Sequence, residues 1–252
     1  MNLYQIISRR FSVFTKLFLL TVILSATIQA QSSGVDLSFN ATPSRESAYV
    51  GNFVFQPDGK ILILGGTFVV NGVAKNQIVR LNSDGSSDNS FNCAACDFNI
   101  GSAVVQPDGK IIVAGSAVTP VNGSYPAVVK RLNSDGSIDN SFILPFDAQA
   151  GSSARVWAIQ PDGKVIVSLS IFMKVNAPYP FGYVTSYAIY RLNVNGSLDN
   201  TFRTITSRSE NTISSYISKI VLQADGKILV SSNSYTEFQG VGKIQRYNTD
   251  GT

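Results

Sequence analysis

Short apolar runs bounded by turn residues dominate the chain. Phe53, Val54 and Phe55 lead into Pro57, Asp58 and Gly59, and a second apolar run, residues 61–64, follows. The same layout recurs with runs at 103–105 and 111–114, at 157–159 and 165–167, and at 220–222 and 228–230. Continuous β-branched runs of this length predict strands buried on both faces. The Pro-Asp-Gly between them supplies a preset φ, an acceptor side chain and a residue tolerant of positive φ, which a three-residue hairpin needs.

Two motifs repeat in fixed order. Gln-Pro-Asp-Gly-Lys starts at Gln56, Gln106 and Gln160, and returns at Gln223 with Ala224 for proline. Interleaved with it, Arg-Leu-Asn-Ser-Asp-Gly-Ser-X-Asp-Asn-Ser-Phe runs through residues 80–91 and 131–142, then in a variant form through 191–202, and a fourth copy opens at Arg246. Asp84-Gly85, Asp135-Gly136, Asn195-Gly196 and Asp250-Gly251 predict a second set of turns, each joining a third strand to a short polar fourth. Each repeat therefore reads as a four-stranded antiparallel meander. Its 50 to 63 residues exceed one rung of a β-solenoid and suit one propeller blade.

The expected architecture is all-β, a β-propeller of four-stranded blades with repeats near 41–91, 92–142, 143–202 and 203–252. Asp36, Leu37, Ser38 and Phe39 match Asp88 to Phe91, the end of a blade, and would complete the last blade if the ring closes. Because the final motif breaks off at Thr252, the expectation is instead a piece of a longer propeller, with open blade edges prone to self-association. The two motifs resemble the delta-60 repeat family, predicted propeller modules of bacterial secreted proteins. That resemblance implies a fold and an extracytoplasmic setting and carries no general activity.

The first thirty residues change the reading of charge. Arg9, Arg10 and Lys16 precede an apolar run, residues 17–26, and a small or polar stretch ends at Ala30. This is the layout of an export signal, too short to span a bilayer. Residues 31–252 are the expected mature domain, secreted or otherwise extracytoplasmic. Without the leader the formal charge of +4 falls to +1, because three basic and no acidic residues leave with it. Neither nucleic acid nor an anionic membrane surface is an expected partner.

Candidate chemistry is sparse. The chain has no histidine, which excludes a Ser-His-Asp triad and a His-ligated zinc site. No metal and no cofactor are expected. Eleven of the thirteen aspartates occupy repeat positions, so a glycosidase-like acid pair would come largely from Glu46, Asp97, Asp147, Glu210 and Glu237. Cys93 and Cys96 read as a local disulfide. Trp157 aligns with Phe53 and reads as core. The third repeat carries extra length between its second and third strands, with Tyr179, Phe181 and Tyr183 as candidate ligand contacts; covering the loop's own small core is the competing account. In a meander both motif turns share one face of the ring, leaving the variable connections on the other, where binding usually resides. The expected function is a non-catalytic module binding a protein or glycan through that face. The alternative is a propeller enzyme acting on glycans through the non-repeated acids.

Overall fold

The computed structural model describes residues 50–70, 73–121, 125–144, 153–174, 183–207, 214–236 and 239–252, and every described element is a strand. The first sheet is β1 (Val50–Phe55), β2 (Ile61–Val70) and β3 (Val73–Leu81), in that order. The second is β4 (Phe98–Val105), β5 (Ile111–Ala117) and β6 (Ala127–Leu132). The third and fourth repeats give β7 (Ser153–Ile159), β8 (Val165–Lys174) and β9 (Tyr183–Leu192), then β11 (Ser214–Leu222), β12 (Ile228–Tyr235) and β13 (Gly240–Tyr247). A parallel pairing of Ser214 with Thr185 joins these two meanders into one seven-stranded sheet. The short β10 (Ile205–Ser207) adds to β9.

One expectation is corrected. The polar segment after each second turn is not a fourth strand. It contacts the third strand through one isolated bridge, Leu81 with Ser87, Leu132 with Ile138 and Leu192 with Leu198. Asp88, Asp139 and Asp199 then carry the segment away, each backbone N–H donating to the carbonyl of Arg80, Arg131 or Arg191. The first two repeats are therefore three-stranded sheets with a clamped tail, while in the third the tail leads on to β10, which pairs with β9.

The apolar runs are buried as their composition requires. Ile111 and Val113 point into a core shared with Leu62, Leu64, Ile78 and Phe91 of the first sheet. Ile112 and Ala114, on the opposite face of the same strand, enter a second core with Val156, Val165 and Val167. A third core, around Ile166, Ile189, Phe202, Ile220 and Ile228, joins the last two meanders, and Trp157 packs half-buried against it. Cys93 and Cys96 are joined by a disulfide directly after Phe91. Among the described residues no helix is long and apolar enough to cross a membrane.

The hairpins follow the turn chemistry. At the first turn the Gln56 N–H donates to the Lys60 carbonyl at 2.8 Å, and the Lys60 N–H donates to Asp58 Oδ1 at 3.1 Å. Gly109 and Gly136 sit at φ +81° and +91°, where a side chain is strained. Only Gly136 is also crowded: a Cβ there would lie 2.8 Å from the backbone carbon of Asn92. Gly109 has nothing nearer than 3.9 Å.

The recurring polar letters of the first three repeats form a knot. Arg80 Nε and Lys60 Nζ both donate to Asp88 Oδ2, at 2.7 and 2.8 Å. Arg131 and Lys110 hold Asp139 in the same way, and Arg191 and Lys164 hold Asp199. Each guanidinium also lies over the Phe of its own tail, 4.8 to 5.0 Å from the ring centroid. Its Nη1 reaches forward to a carbonyl in the next repeat's turn: Arg80 to Ser134, Arg131 to Val194 and Arg191 to Thr249. Burial pushes the Asp88 and Asp199 carboxyls up. Hydrogen bonds from the Lys, the Ser or Thr and the Arg outweigh it and hold both well below the usual carboxylate range. For Asp139 the bonds from Lys110 and Ser141 lead, with the same result.

Two outcomes follow from these contacts. Gly136→Ala is expected to cost more than Gly109→Ala in urea melts, about 2 to 3 against about 1 kcal/mol, because only the first adds a backbone clash to the φ strain. Equal costs would show that the Asn92 contact yields freely. The knots set the acid response: a depressed carboxylate contributes its full stability above the unfolded value near about 3.9, and that contribution is lost as pH falls through it toward the lower folded values. Melting temperature should be level between about pH 7 and 5 and drop steeply below about 4. Asp139→Asn, which leaves Arg131 buried beside a neutral group, should cost about 3 kcal/mol at neutral pH and flatten that drop. A wild-type profile already flat to about pH 2.5 would contradict the assignment.

Candidate ligand-binding cleft

The strands β1, β4 and β7 each begin at the end of their sheet remote from the Gln-Pro-Asp-Gly-Lys turns, and β1 and β4 are irregular near that end. The register shifts between Val50 and Asn52 and between Ile100 and Ser102, whereas the shift on β7, between Val156 and Ala158, falls close to its turn. A bulge re-aims neighbouring side chains and needs room around the backbone. That room is kept by glycine, at Gly51, Gly65, Gly66, Gly101 and Gly115. At Gly115 the approach is closest, since a Cβ would fall 1.7 Å from the Asn99 carbonyl oxygen.

The missing side chains leave a cleft of about 440 Å³. Its other walls are polar: Asn52, Gln77, Asn99, Ser116, Ser153 and Arg155, with Ile100 the large apolar side chain among them. Gln77, in the middle of β3, has φ +62°, a left-handed conformation uncommon for a residue with a side chain. Its Oε1 accepts from the Ile100 N–H at 3.4 Å, which ties the first sheet to the second across the cleft. Arg155 is exposed, with its guanidinium 5.9 Å from the Trp157 ring.

The expected contact residues lie elsewhere. Tyr179 and Phe181 fall outside the described residues. Tyr183 is the first residue of β9, where its backbone pairs with Lys174 of β8. Of the five acids outside the repeat only Asp97 is described. It is exposed, 4.0 Å from Lys130 Nζ and two residues ahead of Asn99. Among the described residues no group of three acids or cysteines is placed to hold a metal.

Repeat alignment contained a signal for part of this site. Gly51, Gly101 and Arg155 all stand five residues before the glutamine of their repeat, and Gly65 and Gly115 five residues after its lysine. Glycine at matched places in two repeats, and arginine where the third should repeat it, mark the cleft. Nothing in the sequence marks Gln77.

The repeated hairpin motifs, the clamped tails and the packed sheets define a β-propeller repeat protein. The chain belongs to the family described as "Domain of unknown function (DUF5122) beta-propeller", whose model matches residues 56–91, 106–142, 179–202 and 223–252, half of its length. No curated protein matches it. Among solved structures it is similar in fold to a GH43_12 retrieved from capybara gut metagenome, with a TM-score of 0.49 and 9% identity over 88% of this chain. It is also similar to an endo-arabinase from Bacteroides thetaiotaomicron VPI-5482, at 0.42 and 16% over 86%, and to the Bombyx mori GH32 beta-fructofuranosidase BmSUC1, at 0.42 and 11% over 90%. The chain spans 44%, 80% and 53% of those three proteins. The expectation of a non-catalytic binding module is corrected at this point, because the solved structures it resembles are described as enzymes.

The close approach at Gly115 gives a direct check on the cleft. Gly115→Ala should lower stability by about 1 to 3 kcal/mol, the usual cost of forcing an added carbon into packed structure, whereas Gly66→Ala, with nothing within 4 Å, should cost less than about 1. The reverse order in denaturant melts would show that the bulge at Ile100 is misplaced.

Proposed function

We propose that this chain is a propeller that acts on glycans, with the glycine-and-amide cleft holding a sugar unit. The lining carries the reading. Asn52, Gln77 and Asn99 each offer a donor and an acceptor, Ser116 a hydroxyl, and Arg155 a fork of donors. Neighbouring sugar hydroxyls, which donate and accept in pairs, are the small-molecule chemistry that such a wall complements.

Glycosidic cleavage needs two carboxyl groups, one protonating the leaving oxygen and one activating water or attacking the sugar. The repeated acids of the tails cannot serve. Asp88, Asp139 and Asp199 are each clamped by two cations and held ionised. The chemistry is assigned to the acids outside the repeat, Glu46, Asp97, Asp147, Glu210 and Glu237. In sequence the first four stand one to six residues ahead of β1, β4, β7 and β11, and the first three of those strands open onto the cleft. Tyr179, Phe181 and Tyr183 are assigned a stacking surface for a neighbouring sugar. The repeats are read further as delta-60 repeats, and residues 1–30 as an export signal removed from a mature domain, 31–252, working outside the cytoplasm.

The test is release of reducing ends from a panel of neutral and acidic polysaccharides by the full chain. Changing the five acids one at a time to their amides should reveal two whose loss lowers turnover by about a hundredfold or more, the scale of general acid-base catalysis. Asn99→Ala should raise KM by up to about tenfold with less effect on turnover. Polysaccharide binding without cleavage, or neither, would overturn the reading.

A further inference from the structure

Arg155 brings a charge into the cleft, and none of the other described residues lining it is charged. Each knot arginine is closed by a carboxylate, Arg80 by Asp88, Arg131 by Asp139 and Arg191 by Asp199. Arg155 is exposed, and its partner among the described residues is a ring, that of Trp157, 5.9 Å from the guanidinium carbon. Asp97, two residues ahead of Asn99 in the cleft wall, lies 4.0 Å from Lys130 Nζ instead. The Trp157 ring is itself held, since its Nε1 donates to Oγ of the buried Ser168 at 2.8 Å. An aromatic face attracts the charge of a guanidinium and leaves its in-plane donors for another acceptor. The first two repeats have Gly51 and Gly101 at this position, so the third places a forked cation where the others leave space.

Resting on the reading of the cleft as a sugar site, we infer that the sugar it takes is a uronate, and that Arg155 is the residue that selects the carboxylate. A guanidinium fork matches a planar carboxylate through two parallel hydrogen bonds, which are stronger and more directional than bonds to neutral hydroxyls. A cation without a counter-charge in a concave wall also draws anions toward it. A neutral sugar would cover Arg155 and leave its charge unpaired, which costs binding free energy. The rest of the wall suits the rest of a uronate: Asn52, Gln77, Asn99, Ser116 and Ser153 are uncharged donors and acceptors, matched to ring hydroxyls. One carboxylate site beside several hydroxyl sites is the functional-group pattern of a sugar acid. Arg155 acts here in specificity, by the charge and shape of the group it accepts.

The test is calorimetric titration of the full chain with oligosaccharide pairs that differ at the carboxyl alone, trigalacturonate and trimannuronate against their methyl esters, with neutral and sulfated galactotriose beside them. In at least one pair the acid is expected to bind about tenfold or more tightly than its ester, the scale of charge-assisted hydrogen bonds. Arg155→Gln should bring that ratio to about one, and Arg155→Lys to a value between, because an ammonium keeps the charge and loses the fork. Asn99→Ala should weaken acid and ester alike and leave the ratio in place. Each ratio compares two ligands on one protein, so a folding defect, which lowers both, cannot mimic the change. Equal binding of acid and ester, or a preference that survives Arg155→Gln, overturns this inference and leaves the sugar site standing. Tighter Arg155-dependent binding of the sulfated sugar than of either uronate overturns it in favour of a sulfate ester. Binding of no sugar at all overturns the glycan reading, and this inference with it.

Discussion

Everything in this fold hangs on a buried arginine that serves two repeats at once. Arg131 is nearly inaccessible, and a guanidinium in that position is tolerable only with its charge paired and its donors used. Asp139 supplies the charge, Ser141 takes a second nitrogen, and the carbonyl of Val194 in the next repeat takes a third. Breaking the contact with the next turn would strand a buried donor. Neighbouring meanders are therefore bound to one another by the same group that closes each tail, while the Phe142 ring beneath it fills the core between them.

This arrangement explains why the polar tail of each complete repeat is not free for chemistry. An aspartate held by lysine, arginine and a hydroxyl remains ionised through the physiological range and has no lone pair facing a ligand. The same logic separates the two faces of the sheets. One carries the repeated turns, each closed by a glycine N–H that donates to the carbonyl of the Gln or Asn three residues before it. At the other, bulges interrupt the strands, glycine replaces side chains, and amides line the resulting space. A site that must accept a foreign molecule is found where the repeat rule lapses.

How much of this was legible from residues alone divides along physical lines. Local chemistry was determined by the sequence: Pro-Asp-Gly and Asp-Gly dictate the hairpins because only glycine relieves positive φ, and continuous β-branched runs dictate strands covered on both faces. The order of motifs gave the meanders and the all-β class. Tertiary structure decided the remainder. A polar segment such as 86–91 has the composition of an edge strand, yet the pull of Arg80 on Asp88 turns it into a clamp after one bridge, a choice that depends on a charge eight residues away. The joining of β9 to β11 rests on a single pairing across repeats. The cleft arises where bulges on β1 and β4 meet glycines of their neighbouring strands, and Gln77, with its left-handed backbone, reaches across to the Ile100 N–H of the second sheet. Such features depend on distances between segments remote in sequence, and no residue pattern encodes those distances.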